Sequence, residues 1–407
     1  MSCMMRMSCM MRMIFWNKAY QQMLERYGTE LSWQVLNRFE QERILLSDKC
    51  VQMLDFLARL QAAAREAMAP VLLRGQYTAS FAGYLLGASE IDPLPPHYYC
   101  PHCRKIELAA GVQDGFDLPE KLCACGNVMT ANGHDLPVES LALQANHFNS
   151  IECVVPQAFL PKAEEEIKAA FGEVCQVIPV QVDTSMDRVF YMLLPQGIMP
   201  AVSADSVLHI TEERFLEEFR AFPYVLLSTA DIADALQAAW RRARELPTSQ
   251  QYCEQENLWA YLLDEREAQR TPATAETRPL CFSALVRSHG LWHGTYNRKG
   301  TAEETPTSGA DCGNIFSDRE EIFQGIVRRK PEAVGLAARV MDESRKGRYA
   351  HRGMPPETEQ ALKEIGMQQE FINACRQVEY LFPRPHIVEH LRWELILKWY
   401  ACHGFTG

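Results

Sequence analysis

The 407-residue chain has no excess of positive charge: 41 Lys and Arg face 52 Asp and Glu, a formal net charge of −11. A surface that grips duplex DNA must offer cations to phosphates, so this balance argues against a free-standing duplex binder. No apolar run approaches the length needed to cross a bilayer, which excludes a membrane-spanning role for helices. No P-loop, dinucleotide fingerprint or Ser-His-Asp set stands out. His147, His209, His289 and His293 are scattered without convincing ligand spacing. Apart from the opening MSCMMRMSCMMRM there is no internal repeat. That opening has Met where a signal peptide has a continuous apolar core and a cleavage site. It reads as a disordered leader or an early translation start, and not as a targeting element.

What is present is the composition of an ordinary globular protein, 47% hydrophobic and 23% charged, long enough for two or three structural modules. The 14 cysteines are scattered apart from two close pairs, which implies no secreted disulfide scaffold and suggests a reducing cytoplasm. Charge is uneven. From Arg328 to Arg352 eight basic residues (Arg328, Arg329, Lys330, Arg339, Arg345, Lys346, Arg348 and Arg352) stand against three acidic ones, Glu332, Asp342 and Glu343. A local basic patch therefore sits on an acidic chain.

The two pairs are Cys100 with Cys103 and Cys123 with Cys125, beside the turn formers Pro101 and Gly126. Thiolates close together on a tight turn point the same way, and two such turns supply four soft ligands to a tetrahedral structural zinc. A separation of about twenty residues suits a zinc ribbon. The second pair has one intervening residue instead of two, so its turn must differ, and His102 or His134 is an alternative ligand. Reduced surface thiols without metal are the competing reading.

Hydrophobic periodicity predicts two amphipathic helices between Ser32 and Met68, with Trp33, Leu36 and Phe39 on the first and Val51, Leu54, Leu57 and Leu60 on the second. Pro70 to Gly75 reads as a short strand ending in a glycine turn, followed by helix from Ser80 to Leu86. Ile151–Val155, Val174–Val182, Phe190–Leu194 and Tyr224–Leu227 are strand candidates, so the middle is mixed α/β. Glu265 to Pro279 looks like a linker, and Asn297 to Asp311 like a loop. Helices are expected from Ser317 to Tyr400. The tail RWELILKWY puts Trp393, Leu397 and Tyr400 on one stripe, which is either core or a surface seeking a partner.

Three short segments around the cysteines, Pro93 to Cys100, Gly115-Phe116-Asp117-Leu118-Pro119 and Gly133-His134-Asp135-Leu136-Pro137, closely resemble the zinc-bearing palm insertion of PolC-type bacterial DNA polymerase III. Near the C-terminus Gly290-Leu291-Trp292-His293-Gly294-Thr295, then Met341 to Gly347, then Tyr380 to His386 resemble the fingers of the same family, in the same order. The resemblance covers roughly residues 20 to 160 and 280 to 403. It implies an α+β fold: a polymerase-like palm with a small zinc-ribbon insertion, then a mainly helical fingers domain. The expected division is a leader at 1–19, N-terminal palm at 20–92, zinc insertion at 93–139, reduced palm at 140–264, linker at 265–280 and fingers at 281–407. Full-length relatives carry further domains on both sides, and this chain is expected to begin near the start of the palm and stop inside or just after the fingers.

Such enzymes join nucleotides with two Mg2+ ions about 4 Å apart, held by three carboxylates. The resemblance maps an Asp-x-Asp pair onto Ser150-Ile151-Glu152, so one carboxylate has become a neutral hydroxyl and only Glu152 remains. The third position falls near Tyr224 to Ser228, where no acid occurs before Asp231. The phosphate-cradling loop maps onto Arg74-Gly75-Gln76-Tyr77-Thr78-Ala79-Ser80. Arg74, Gly75 and Ser80 are kept as nucleotide-binding candidates, while Gln76 and Tyr77 are expected to crowd the loop. The segment after Glu152 is also shorter than the family uses. Catalytic inactivity is the favoured reading, with Mg2+ bound only if activity survives.

In the fingers, Arg345, Lys346 and Arg384 match positions that present cations to template and nucleotide, and His386 matches a family His. Expected partners are therefore DNA or replication proteins. Alternatives are an active polymerase with a metal site rebuilt on Glu152 with Asp231 or Asp234, and an interaction subunit without nucleic-acid affinity.

Overall fold

The computed structural model describes residues 9–142, 150–182, 188–197, 207–219, 222–262, 281–296 and 315–406. The chain divides into two units, Met1–Pro247 with Trp399–Gly407, and Thr248–Lys398. The division falls ahead of the expected linker at 265–280, which lies outside the described residues, as does the expected loop from Asn297 to Asp311.

The first unit opens with α1 (Cys9–Tyr27), whose Phe15, Trp16, Ala19, Met23 and Tyr27 are buried. This corrects the expectation of an unstructured leader through residue 19: the segment is helical from Cys9 and carries core side chains from Phe15 onward. Residues 1–8 lie outside the described ones. The two expected helices follow as α2 (Trp33–Leu45) and α3 (Asp48–Glu66). Each starts at a serine N-cap, Ser32 accepting from the Val35 N–H and Ser47 from that of Cys50.

The face of α2 differs from its periodicity. Trp33 is 70% exposed, and the buried residues are Val35, Arg38, Phe39 and Glu42. The helix is rotated so that a charged pair, and not Trp33, enters the core. Next come β1 (Leu72–Arg74), the Gly75 turn, and the five-residue α4 (Phe81–Leu85).

An insertion follows as a four-stranded sheet in the order β3-β2-β5-β4, built from β2 (His97–Tyr99), β3 (Ile106–Leu108), β4 (Lys121–Leu122) and β5 (Val128–Asn132). Tyr98, Leu118, Met129 and Ala131 form its small core with Cys100 and Cys123. Its base is closed by two glycines. Gly115 donates to the Gly133 carbonyl at 2.7 Å, and a Cβ on Gly115 would lie 1.9 Å from the Asn132 carbonyl oxygen. Gly133 has φ +101°, with the Pro95 carbonyl oxygen 2.4 Å from where a Cβ would be. Side chains are excluded at both positions.

After a short helix α5 (Glu139–Ala142), the main sheet is completed by β6 (Ser150–Val155), β7 (Gln176–Val182), β8 (Arg188–Leu194), β9 (Leu208–Ile210) and β10 (Tyr224–Thr229), in the order β1-β6-β10-β8-β7-β9. The central pair β6 and β10 is parallel, and β1 is antiparallel to β6. Helices α6 (Leu160–Phe171) and α8 (Asp231–Ala243) pack on this sheet, α6 also touching α3, while α7 (Glu212–Glu218) places Phe215 in a cluster with Val180, Met192 and Ile210.

The second unit is mainly helical: α9 (Ser249–Tyr252), α10 (Gln255–Leu262), α11 (Phe282–His293), α12 (Arg319–Arg329), α13 (Val334–Arg345), α14 (Arg348–Arg352), α15 (Pro356–Glu364), α16 (Gln369–Gln377) and α17 (Arg384–Cys402), the last turn of which, from Trp399, is counted with the first unit. A two-stranded ribbon, β11 (Thr295–Tyr296) with β12 (Val378–Tyr380), interrupts them. Asp318 caps α12 by accepting from the Glu321 N–H. On α17 Trp393 and Tyr400 are buried and Leu397 half-buried, so the tail stripe is core. Among the described residues no helix is long and apolar enough to cross a membrane.

The pair carried inward by α2 is the centre of the first unit. Arg38 Nε donates to Glu42 Oε1 at 2.8 Å, Nη2 to the Ala79 carbonyl at 2.6 Å, and Nη1 to the Leu136 carbonyl. Glu42, 0% exposed, accepts from the backbone N–H of Phe81 at 2.7 Å and of Ala82 at 3.0 Å, and from Ser80 Oγ at 2.9 Å. Breaking such a pair strands a buried charge, typically at a loss of about 3–5 kcal/mol. Glu42→Ala is therefore expected to lower stability by about that amount in urea unfolding of the first unit, and a double change to Arg38→Met and Glu42→Leu to lose less than the single one.

Candidate functional site

The cysteine pairs sit on two tight turns at one end of the insertion. After β2, Cys100 N–H donates to the Lys105 carbonyl at 2.9 Å and the Arg104 N–H returns to the Cys100 carbonyl at 2.8 Å, with Arg104 at φ +63°. Between β4 and β5, Cys123 N–H donates to the Asn127 carbonyl and Gly126 N–H to the Cys123 carbonyl, with Gly126 at φ +84°. The second turn is tighter, which is how a Cys-x-Cys pair reaches the same point as a Cys-x-x-Cys pair.

The four sulfurs all lie within 4.8 Å of one another, with Cys103 to Cys123 at 3.3 Å and Cys100 to Cys125 at 3.5 Å. A zinc ion about 2.3 Å from each sulfur of a tetrahedron would set them about 3.8 Å apart. The donor set therefore fits a tetrahedral thiolate metal. Cys100 and Cys123 are buried and Cys103 and Cys125 exposed. Asn127 Nδ2 donates to Cys125 Sγ at 3.4 Å, and that bond holds the Cys125 thiol down at about 5. Neither histidine is needed as a ligand. His134 is buried with Nδ1 2.8 Å from Asp114 Oδ2, at the closed base of the insertion, and His102 is exposed.

A second set of candidates shares the open side of β6. Strand alternation turns Ile151 and Cys153 into the core and leaves Ser150 and Glu152 half-exposed on the other face. The register sets Arg74 and Leu226 on either side of Glu152, and Tyr224 beside Ser150. Arg74 Nη1 meets Glu152 Oε1 at 2.9 Å, the two side chains 35% and 34% exposed. Glu152 thus has a cation on one side and a hydrocarbon on the other.

The acids offered for a rebuilt site stand elsewhere. Asp231 opens α8, and Asp234 Oδ1 accepts from the Gln157 N–H at 2.8 Å. Gln157 lies five residues beyond Glu152, on the order of 15 Å along extended chain. Among the described residues the four cysteines are the one cluster of three or more His, Cys, Asp or Glu ligand atoms.

The loop after β1 corrects one expectation. Tyr77 is 1% exposed and points inward, so it does not crowd the loop from outside; the Gln76 side chain lies outside the described ones. Gly75 turns the chain at φ +89°, and Ser80 is fully buried as the cap of α4, its Oγ accepting from the Gly83 N–H. The first-turn donors Phe81 and Ala82 are already taken by Glu42.

In the second unit the matched cations are largely turned inward. Arg345 Nε binds Asp342 Oδ1 at 2.8 Å with its side chain 12% exposed, and burial lowers its pKa. Arg384 Nε binds Asp318 Oδ2 at 3.0 Å, and its N–H donates to Glu320 Oε2 at 2.7 Å. Burial pushes Asp318 up to about 6 against the pull of Arg384. His386 stacks on Phe382 with ring centroids 5.4 Å apart. Lys346 is exposed, and Arg339, Arg348 and Arg352 line a cavity of about 450 Å³ between α13 and α15. Of the matched cations Lys346 alone is exposed, while Arg345 and Arg384 are paired with acids. Sequence reading missed the Arg38–Glu42 pair, legible there only as an i,i+4 spacing, and the direct contact between Arg74 and Glu152.

No family model matches the chain. Among curated proteins it is similar to the DNA polymerase III PolC-type of Lacticaseibacillus paracasei, 23% identical over 81% of this chain and 28% of that protein. The PolC-type enzyme of Staphylococcus epidermidis is 24% identical over 95% of this chain and 32% of that protein. That of Thermotoga petrophila is 24% identical over 93% and 33%. The chain spans about three tenths of the length of these relatives. A match running through the first unit, the cysteine insertion and the helical second unit makes this chain a relative of the PolC-type DNA polymerases III.

Proposed function

We propose that this chain is a PolC-like protein that has lost two-metal nucleotidyl transfer and acts by binding, to DNA or to replication proteins. The observation that carries this reading is the surrounding of Glu152: Ser150 on the same face, Leu226 opposite, and the Arg74 guanidinium 2.9 Å away. Two Mg2+ ions need several hard anionic oxygens converging on one place. Here one carboxylate is present and a cation already neutralises it. The residues do not fit a two-magnesium centre, and no catalytic step is assigned to them.

Binding is supported by the basic run of the second unit. Lys346 is exposed, and the cavity lined by Arg339, Arg348 and Arg352 offers guanidinium groups that match phosphate oxygens in geometry and charge. Glu343 shares that cavity and pairs with Arg348, which moderates its charge. A weak, strongly salt-dependent contact with a polyanion follows from this balance. The metal of the cysteine cluster is zinc in this reading. Four thiolates are soft ligands and a closed set of four leaves no position for substrate, so the ion is structural.

Primer extension on a primed template with Mg2+ or Mn2+ is expected to give no incorporation, with Glu152→Ala indistinguishable from the parent. Incorporation that disappears in Glu152→Ala would overturn the proposal. Fluorescence anisotropy on the same DNA is expected to show binding that weakens steeply with salt and falls several-fold in a Lys346→Ala, Arg352→Ala double variant. Unchanged binding in that variant would move the contact elsewhere. Metal analysis of the purified protein is expected to give about one zinc per chain at the cysteines, lost in Cys100→Ser. Chelation should lower the melting temperature of the first unit, because zinc binding is coupled to folding of the insertion.

A further inference from the structure

Two consecutive helices of the second unit turn guanidinium groups into one cavity. Arg339 and Glu343 are four residues apart on α13, and Arg348 and Arg352 four apart on α14, a spacing that sets each pair on one helix face. Gly347 joins the helices at φ +67°, where a Cβ would lie 2.6 Å from the Glu379 carbonyl oxygen, a tight junction that only glycine fits. Both faces line a cavity of about 450 Å³, whose inner wall is made by the buried side chains of Tyr349, Met354 and Thr358. That volume lies within the range of small-ligand pockets, roughly 300–1,000 Å³.

The charges of the lining are not evenly neutralised. Arg348 pairs with Glu343 and lies 3.7 Å from Asp342 Oδ2. Among the described residues Arg339 and Arg352, both exposed, have no carboxylate within ion-pair distance, although Glu357 also lines the cavity. Burial pushes the Tyr349 hydroxyl up to about 12, and Arg339 works against that rise, which places its charge near the inner wall. Two guanidinium groups without an acid therefore stand beside a wall that is partly apolar and carries two hydroxyls. Pro355 and Pro356, also in the lining, have no N–H to offer, so the donors for an anion are these side chains.

We infer that this cavity takes a terminal phosphomonoester, with Arg339 and Arg352 as its cationic partners. The inference rests on the reading of the basic run as an anion-binding surface and names the group taken there. An internal phosphodiester carries one charge and cannot enter a recess without bringing a nucleoside on each side. A terminal monoester projects from its carrier, exposes three oxygens and carries close to two charges at neutral pH. Two guanidinium forks match that charge and that geometry. The apolar wall at Met354 takes the organic part of the carrier. The 5′ end of a DNA strand and a small phosphate ester share this chemistry. The site lies apart from Arg345, Lys346 and Arg384, none of which lines the cavity.

The test uses the full chain and two single strands of one sequence, labelled at the 3′ end, one with a 5′-phosphate and one with a 5′-hydroxyl. Fluorescence anisotropy is expected to show the phosphorylated strand bound at least about fivefold more tightly, through charge-assisted bonds to its end. An Arg339→Gln, Arg352→Gln double variant should erase that difference, while Lys346→Ala, outside the cavity, should weaken both strands by the same factor. Both arginines are exposed, and an unchanged melting temperature reports that the double variant is folded. Calorimetry with a nucleoside 5′-monophosphate separates the carriers: affinity equal to that of the phosphorylated strand supports a small ester, and affinity lower by about tenfold or more supports a strand end. If neither strand binds and the monophosphate does, the DNA reading fails and the inference stands. Equal binding of both strands with no binding of the monophosphate overturns the inference, as does a preference for phosphate that survives the double variant.

Discussion

The buried Arg38–Glu42 pair is the contact on which the first unit depends, because it ties together backbone groups of three separate segments. The guanidinium holds the carbonyl of Ala79, ahead of α4, and that of Leu136, where the insertion returns to the body. The carboxylate closes the first turn of α4 through the Phe81 and Ala82 N–H groups. A five-residue helix cannot satisfy its own N-terminal donors, and a buried end without partners is costly. One ion pair thus sets where the loop after β1 runs and where the insertion is anchored. The same pair explains why α2 turns Trp33 outward: the face that completes this network is the one that must be inside.

Under the proposed reading, the open side of β6 is a charged site that changed character while its backbone stayed. The strand still alternates, so Ser150 and Glu152 share a face as an Asp-x-Asp pair would. The charge there is that of one acid: Ser150 offers a hydroxyl, Leu226 a hydrocarbon, and Arg74 from the edge strand meets the Glu152 carboxylate. An isolated, half-exposed ion pair of this kind contributes little to stability. Its effect is on local charge, since a cation 2.9 Å from the carboxylate neutralises it.

The cysteine insertion and the second unit carry the matched motifs in different ways. In the insertion the motif residues close the structure: Gly115 and Gly133 permit a backbone approach that no other residue allows, and His134 binds Asp114 beneath them. In the second unit the motif arginines Arg345 and Arg384 are drawn into ion pairs with the half-buried Asp342 and the buried Asp318, and Lys346 meets solvent. A motif match locates a segment of backbone. Which of its charges faces outward depends on the acids packed around it.

Much of the fold could be read from the chain. The helices α2 and α3, the strands β1, β6, β7, β8 and β10 and the helical run after Ser317 follow from local periodicity and capping, which depend on residues a few positions apart. The two cysteine turns were legible for the same reason, because a ligand pair on a tight turn is a local object. The helical nature of residues 9 to 19 was not, since a Met-rich repeat declares no apolar face until Trp16 finds Phe39. Nor was the contact of Arg74 with Glu152, 78 residues apart. Spacing along the chain determined which side chains share a turn or a strand face. Only the tertiary structure decided which charges meet, because pairing between distant segments is set by strand register and helix packing, neither of which is encoded in any one segment.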